Sequence, residues 1–198
     1  MDNKAKFRLK ALDEYVKTKS LGEQSGHDYW HAKRVVSTAI KLAKDYKSIN
    51  YEVLIASCFI HDVYEKNKTL KVLRKIGFSN ENITKIIDIA VQFRHIGKGS
   101  KKNFKKSTES EIFLDADNLD ALGSIGIARA VSFGLSKGFP LFKSKKDSLN
   151  DSVYGTVKEL TTWKKAMFTK KARIIAKKRI GIMGQFLKNL EGEFETNL

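Results

Sequence analysis

Residues 50–62 read NYEVLIASCFIHD, an almost unbroken apolar run that closes on an adjacent histidine and aspartate. A run this short has weak periodicity and fits a buried strand as well as a buried helix. Two observations favour the helix. Asn50 is a good N-cap, because its side-chain oxygen can accept from backbone N–H groups of the first turn. No hairpin signal follows, and no alternation of strands with helices. The segment is apolar nearly all round and is expected at the centre of the fold.

Outward from it, apolar residues recur at helical spacing. Residues 4–18 place Phe7, Leu9, Leu12, Tyr15 and Val16 near one side, and residues 28–46 place Val35, Val36, Ala39, Ile40, Leu42 and Ala43 on a stripe. Residues 68–76 predict a short helix ended by Gly77, and Ser79 a cap for the next, which carries Ile83, Ile86, Ile87, Ala90, Val91 and Arg94. Thr108 followed by Glu111 is a capping-box signature that opens EIFLDADNLDALGSIGIARAVSF, within which Gly123 and Gly126 either break the helix or admit close packing. Asp151 is expected to open a helix to about Trp163, and residues 169–191 a long basic one. The Lys/Gly/Ser-rich stretches 97–107 and 134–148 read as loops. The expectation is an all-α protein with residues 1–198 in one domain.

Composition narrows the function classes. Lys plus Arg number 38 against 22 Asp plus Glu, a net charge of +16. Such a field attracts nucleotides, nucleic acid or anionic membranes without choosing among them. Only seven of the basic residues are arginine, which suits a diffuse field better than base readout. The single cysteine, Cys58, excludes an internal disulfide and a cysteine zinc cluster, and its apolar context predicts a buried thiol. No stretch approaches the roughly 18 to 20 apolar residues of a membrane span, and the N-terminus has no apolar signal core, so a cytoplasmic location is expected. No heptad run persists that would indicate an oligomer.

Four histidines are present: His27, His31, His61 and His95. The pair His61-Asp62 abuts the most apolar segment, where unpartnered polar groups cost stability. His31 sits on the preceding predicted helix, and Asp117 lies among apolar residues in LDADNLD. Three packed helices can bring His31, His61, Asp62 and Asp117 to one point. Two imidazoles and two carboxylates suit Mn²⁺, Fe²⁺, Co²⁺, Ni²⁺ or Zn²⁺ better than Ca²⁺, with Mg²⁺ disfavoured. A cation so held polarises a phosphoryl oxygen and acidifies water. The bland alternative is a capped helix end. A third reading is a basic helical nucleic-acid-binding module, in which Lys98, Lys101, Lys102, Lys105 and Lys106 surround Phe104.

The segments GHDYWHAKRV (26–35), HDVYE (61–65), DADNLDALGSIGIAR (115–129) and ARIIAKKRIGIMGQFL (172–187), taken in order, resemble the HD-domain phosphohydrolase superfamily. The likeness is to its small standalone branch, which includes nucleotide pyrophosphohydrolase-like members. It implies a compact helical bundle with additional C-terminal helices, a divalent metal with Mn²⁺ favoured, and hydrolysis of a phosphate ester or anhydride. It also implies a metal set of His31, His61, Asp62 and Asp117, with Glu65 positioning or activating water. Asp28 and His27 are candidates to assist that water, and Arg34 and His95 to bind substrate phosphate. Asp120 is expected to fix the helix pair and Asp115 to point elsewhere. The implied substrate is a nucleoside triphosphate cleaved to monophosphate and pyrophosphate, with a nucleotidase or phosphodiesterase as the alternative and nucleic acid as a secondary partner. The chain departs from the pattern at Asn118, where arginine is common. It departs again at DSVYGTV (151–157), which keeps Tyr154 but has Gly155 and Thr156 in place of an acid and a lysine and lacks a histidine.

Overall fold

The computed structural model describes residues 1–96 and 106–195, with backbone alone at 95–96, 164–165 and 195. The described residues are helical and contain no strand. In order, α1 spans Asn3–Lys19, α2 Tyr29–Ala43, α3 Tyr51–Ile60, α4 Lys66–Ile76, α5 Asn80–Ile96, α6 Thr108–Asp120, α7 Gly123–Ser136, α8 Val153–Leu160 and α9 Lys170–Glu195. Most of the expected loop at 97–107, Phe104 included, lies outside the described residues.

Two compact units are present, the first formed by Met1–Gly22 and His27–Ala116. Its centre is α3, which packs on α1, α2 and α5 and buries Glu52 through Ile60. Asn50 caps it as expected, its Oδ1 accepting from the Val53 N–H at 3.1 Å. The one acid in that buried stretch is neutralised: Glu52 accepts from Arg8 Nε at 2.5 Å and from Asn82 Nδ2 at 2.6 Å. A charge at the centre of a helical core is tolerable only when so paired. Gly77 ends α4 in the left-handed region at φ 92°, its N–H donating to the carbonyls of Leu73 and Arg74.

One cap differs from expectation. Ser107 and Ser110, rather than Thr108 and Glu111, form the reciprocal box at the start of α6. The Ser110 N–H donates to Ser107 Oγ at 3.1 Å and the Ser107 N–H to Ser110 Oγ at 2.9 Å. A serine hydroxyl three residues on does the work of the usual glutamate. Glu109 then accepts from the Asn50 N–H at 2.9 Å, tying the starts of α3 and α6 together.

The second unit comprises Glu23–Gly26 and Asp117–Leu198. In it α9 packs on α7 and α8, burying Ala172, Ala176, Met183 and Leu187. Asp151 does not open α8. Ser152 is the cap, accepting from the Gly155 N–H at 3.0 Å, while Asp151 closes the preceding turn by accepting from the Ser148 N–H at 2.9 Å. The α-helix stops at Leu160 and continues as a 3-10 turn, Thr161–Ala166. Gly123 and Gly126 serve both expected purposes. Gly123 starts α7 at φ 78°, and a Cβ at Gly126 would be driven into the Ala121 carbonyl oxygen.

Two glycine-to-alanine changes therefore have opposite expected signs. Gly126→Ala has no room and destabilises by about 2–3 kcal/mol. Gly181→Ala adds a methyl to open space on the exposed side of α9 and stabilises by about 0.5–1 kcal/mol. Urea unfolding of both variants reads the difference, and equal midpoints would contradict it.

Candidate metal centre

The HD doublet sits where the buried helix stops. α3 ends at Ile60, and a turn carries His61 and Asp62. The imidazole of His61 is wholly enclosed, and its Nδ1 lies 2.8 Å from the Cys58 carbonyl oxygen. A carbonyl can only accept, so Nδ1 carries the proton and the neutral ring presents an Nε2 lone pair. Facing it is His31, also fully buried, near the start of α2. Asp28 caps that helix, its Oδ1 accepting from the His31 backbone N–H at 2.7 Å. The cap fixes the turn from which the imidazole projects.

Three candidate ligand atoms meet here. His31 Nε2 lies 3.1 Å from His61 Nε2, and Asp62 Oδ2 lies 3.3 Å from the first and 3.2 Å from the second. Asp62 Oδ2 is buried and makes no hydrogen bond. Phe93 and Phe113 pack edge-on against the His61 ring, with centroids at 5.2 and 5.4 Å. Their apolar wall lowers the local dielectric and so strengthens any electrostatic interaction of the cluster.

The fourth candidate is carried by α6, a continuous helix whose Phe113 is seated on His61. Asp117 follows Phe113 by one turn, on the same face. Ligand atoms of His31, His61 and Asp117 all lie within 4.8 Å of one another. The donor set fits a divalent cation. Neighbouring ligands about 2.1 Å from a metal are about 3.0 Å apart in an octahedral site and about 3.4 Å apart in a tetrahedral one, and the observed edges fall between.

The remaining expected residues divide. The His27 ring stands edge-on to His31, centroids 5.7 Å apart. Arg34 is half-buried on α2, three residues after His31. The His95 side chain lies outside the described residues. Glu65 is not one helical turn from Asp62, because α3 has already ended and Glu65 is extended, at φ −129° and ψ 115°. Its carboxylate is 62% exposed, paired with Lys68 Nζ at 2.9 Å, and that hydrogen bond lowers its pKa. Asp120 fixes α6 to α7 as expected, through Arg129 Nη1 at 3.2 Å, and Asp115 is buried outside the cluster. Sequence reasoning missed Phe113 and the Cys58 carbonyl. The four-residue step from Phe113 to Asp117 was a readable signal, whereas a backbone acceptor leaves none in residue identity.

The departures also have a structural reading. Ser152, Gly155 and Thr156 form a self-satisfied turn in which Thr156 Oγ1 donates to the Ser152 carbonyl at 2.9 Å. A Cβ at Gly155 would collide with the Ser148 carbonyl oxygen, so no acid fits there while the preceding loop keeps its path. The Tyr154 hydroxyl donates to Glu191 at 2.5 Å, and burial with that carboxylate pushes its pKa up to about 12.

Comparison with known proteins agrees with this architecture. No family model matches the sequence. YpgQ of Bacillus subtilis (strain 168), an uncharacterized protein, is 31% identical over 181 residues, covering 85% of each chain. The crystal structure of an HD-superfamily hydrolase from Bacillus thuringiensis superposes with a TM-score of 0.76 at 26% identity, over 96% of this chain and 98% of that one. The structure of B. subtilis YpgQ in complex with ADP gives a TM-score of 0.73 at 26% identity, over 91% and 97%. An all-helical fold around a buried histidine–aspartate cluster, with these likenesses, defines a hydrolase class suited to a divalent metal. The chain belongs to the HD-domain superfamily.

Asp117 and Asp120, one turn apart, have separable expected effects. Asp117→Asn loses bound divalent cation and still folds. Asp120→Asn leaves the Arg129 guanidinium without its carboxylate, costs about 3 kcal/mol and keeps the cation. Metal analysis beside thermal unfolding checks both, and an Asp117→Asn protein that retained full metal would remove Asp117 from the set.

Proposed function

We propose that this chain is a divalent-metal-dependent phosphohydrolase that cleaves nucleoside or deoxynucleoside triphosphates to monophosphate and pyrophosphate in the cytoplasm. The observation that carries the reading is the triangle of His31 Nε2, His61 Nε2 and Asp62 Oδ2, with edges of 3.1 to 3.3 Å. Two imidazole nitrogens and a carboxylate oxygen brought together against an aromatic wall support a cation-binding reading, and the ADP held by the similar YpgQ favours a nucleotide.

His31, His61, Asp62 and Asp117 hold the cation, for which we favour Mn²⁺; the two imidazoles argue against Mg²⁺, and Co²⁺, Ni²⁺, Fe²⁺ and Zn²⁺ suit the same donors. When bound, it supplies Lewis-acid polarisation of a phosphoryl oxygen and acidifies water. The chain's own groups do the rest. The Cys58 carbonyl keeps the His61 lone pair aimed inward, and Asp28 holds the backbone of His31. Asp28 Oδ1 is committed to that cap, so its other oxygen is the one that can orient water. His27 stands beside His31, where it can accept or return a proton. Glu65 joins only by exchanging Lys68 for water or substrate. Arg34 and His95 bind substrate phosphate, the guanidinium by its planar fork.

Product analysis of the Mn²⁺-loaded protein with ATP, dATP, dAMP and a cyclic dinucleotide tests the proposal. Expected are equal amounts of monophosphate and pyrophosphate from the triphosphates, abolished by chelation. Free phosphate from dAMP would reassign the centre to a nucleotidase, and a cleaved cyclic dinucleotide to a phosphodiesterase. No turnover of any of the four would overturn the phosphohydrolase reading.

A further inference from the structure

Trp30 is the residue before His31, in the first turn of α2, and its side chain is 66% exposed. An indole left in water forgoes a large apolar burial. This one is nonetheless held in place. The Tyr29 ring meets it edge-on, centroids 5.3 Å apart at 62°. Tyr29 is anchored in turn, its hydroxyl donating to Asp13 Oδ1 at 2.9 Å. Lys33 Nζ donates to Asp13 Oδ2 at 2.7 Å and stands 5.7 Å over the Tyr29 ring. The indole is therefore braced on one side and bare on the other. Phe7 and Leu21 are as exposed, but neither adjoins a candidate metal ligand.

Helix geometry makes the position useful. Arg34 follows Trp30 by four residues, so indole and guanidinium rise from one column of α2 while the His31 imidazole rises from the next. Successive side chains on a helix 10–12 Å across diverge by about 100°, which separates their tips by about 9 Å. A ligand spanning these columns has an anionic end at the histidines and a flat aromatic end on the indole, joined by a short polar link. A nucleotide has that construction.

We infer that Trp30 is the stacking platform for the base of the substrate and so a determinant of specificity for nucleotides over simple phosphates. The inference rests on the nucleotide reading above and adds the residue that would recognise the base. Stacking is indifferent to base identity, because each base has a π face. The platform favours nucleotides as a class and does not select purine over pyrimidine strongly.

Trp30 and Trp163 are the two tryptophans of the chain, so Trp163→Phe leaves Trp30 as the sole indole emitter. In Mg²⁺, this variant is titrated with ADP and with tripolyphosphate, which is anionic but has no base. The expected result is quenching of Trp30 emission by ADP and none by tripolyphosphate. In parallel, Trp30→Ala raises KM for ATP about 10-fold with kcat little changed, and Trp30→Phe recovers most of the loss. If Trp163→Phe does not fold, the quenching difference between wild type and Trp30→Phe gives the same reading. ADP that inhibits ATP cleavage while leaving Trp30 emission and the Trp30→Ala KM unmoved would remove the platform and leave the nucleotide reading standing. Absence of ADP binding by calorimetry would remove both.

Discussion

The hydrogen bond from His61 Nδ1 to the Cys58 carbonyl connects the core of this protein to its chemistry. Residues 52–60 are all buried, so their helix has one way to sit, and its end is placed by the contacts of α1, α2 and α5. A carbonyl near a helix C-terminus has lost its intrahelical partner and needs a donor. His61 supplies the donor from three residues on. In doing so it commits its proton to Nδ1 and its lone pair to the space occupied by His31 Nε2 and Asp62 Oδ2. The helix end is satisfied and the candidate ligand is oriented by the same bond.

From this follows the division between what residue order revealed and what it did not. The fold was legible because burial is written in apolar spacing. The 50–62 run, the stripes on α1 and α2, the Asn50 cap and the Gly77 stop are each encoded by residues within a few positions of one another. The capping errors at Thr108 and Asp151 arose where two adjacent residues were both good caps. In each case the choice went to a serine whose hydroxyl reaches partners in its own turn: Ser107 with Ser110, and Ser152 with both Gly155 and Asp147. A single turn of backbone decides such contests, and residue type alone does not see it.

At the centre, His31, His61, Asp62 and Asp117 could be named because imidazoles and carboxylates in apolar contexts are conspicuous. Their relative placement could not be read, because it depends on how α2, the end of α3 and α6 are packed. Glu65 shows the limit most directly. Glu65 follows Asp62 by three residues, but α3 ends at Ile60, Glu65 is extended and its carboxylate finds Lys68 instead. A spacing argument is only as good as the assumption that the element continues.

The charge of +16 takes on a different meaning once the arginines are placed. Arg8 binds Glu52, Arg94 the Tyr64 carbonyl, Arg129 Asp120 and the Gly26 carbonyl, Arg173 the Phe168 carbonyl and Arg179 the Leu119 carbonyl. Five of the seven arginines thus hold the architecture together, and Arg129 does so through two donors of its fork at once. The remaining pair, Arg34 and Arg74, differ in setting, and Arg34 alone of the two shares a helix with a candidate ligand. Most of the field comes from the far more numerous lysines, and it draws anions without reading them. Under the nucleotide reading proposed above, discrimination falls to side chains beside the candidate centre, and on α2 those are the Arg34 guanidinium and the exposed Trp30 indole.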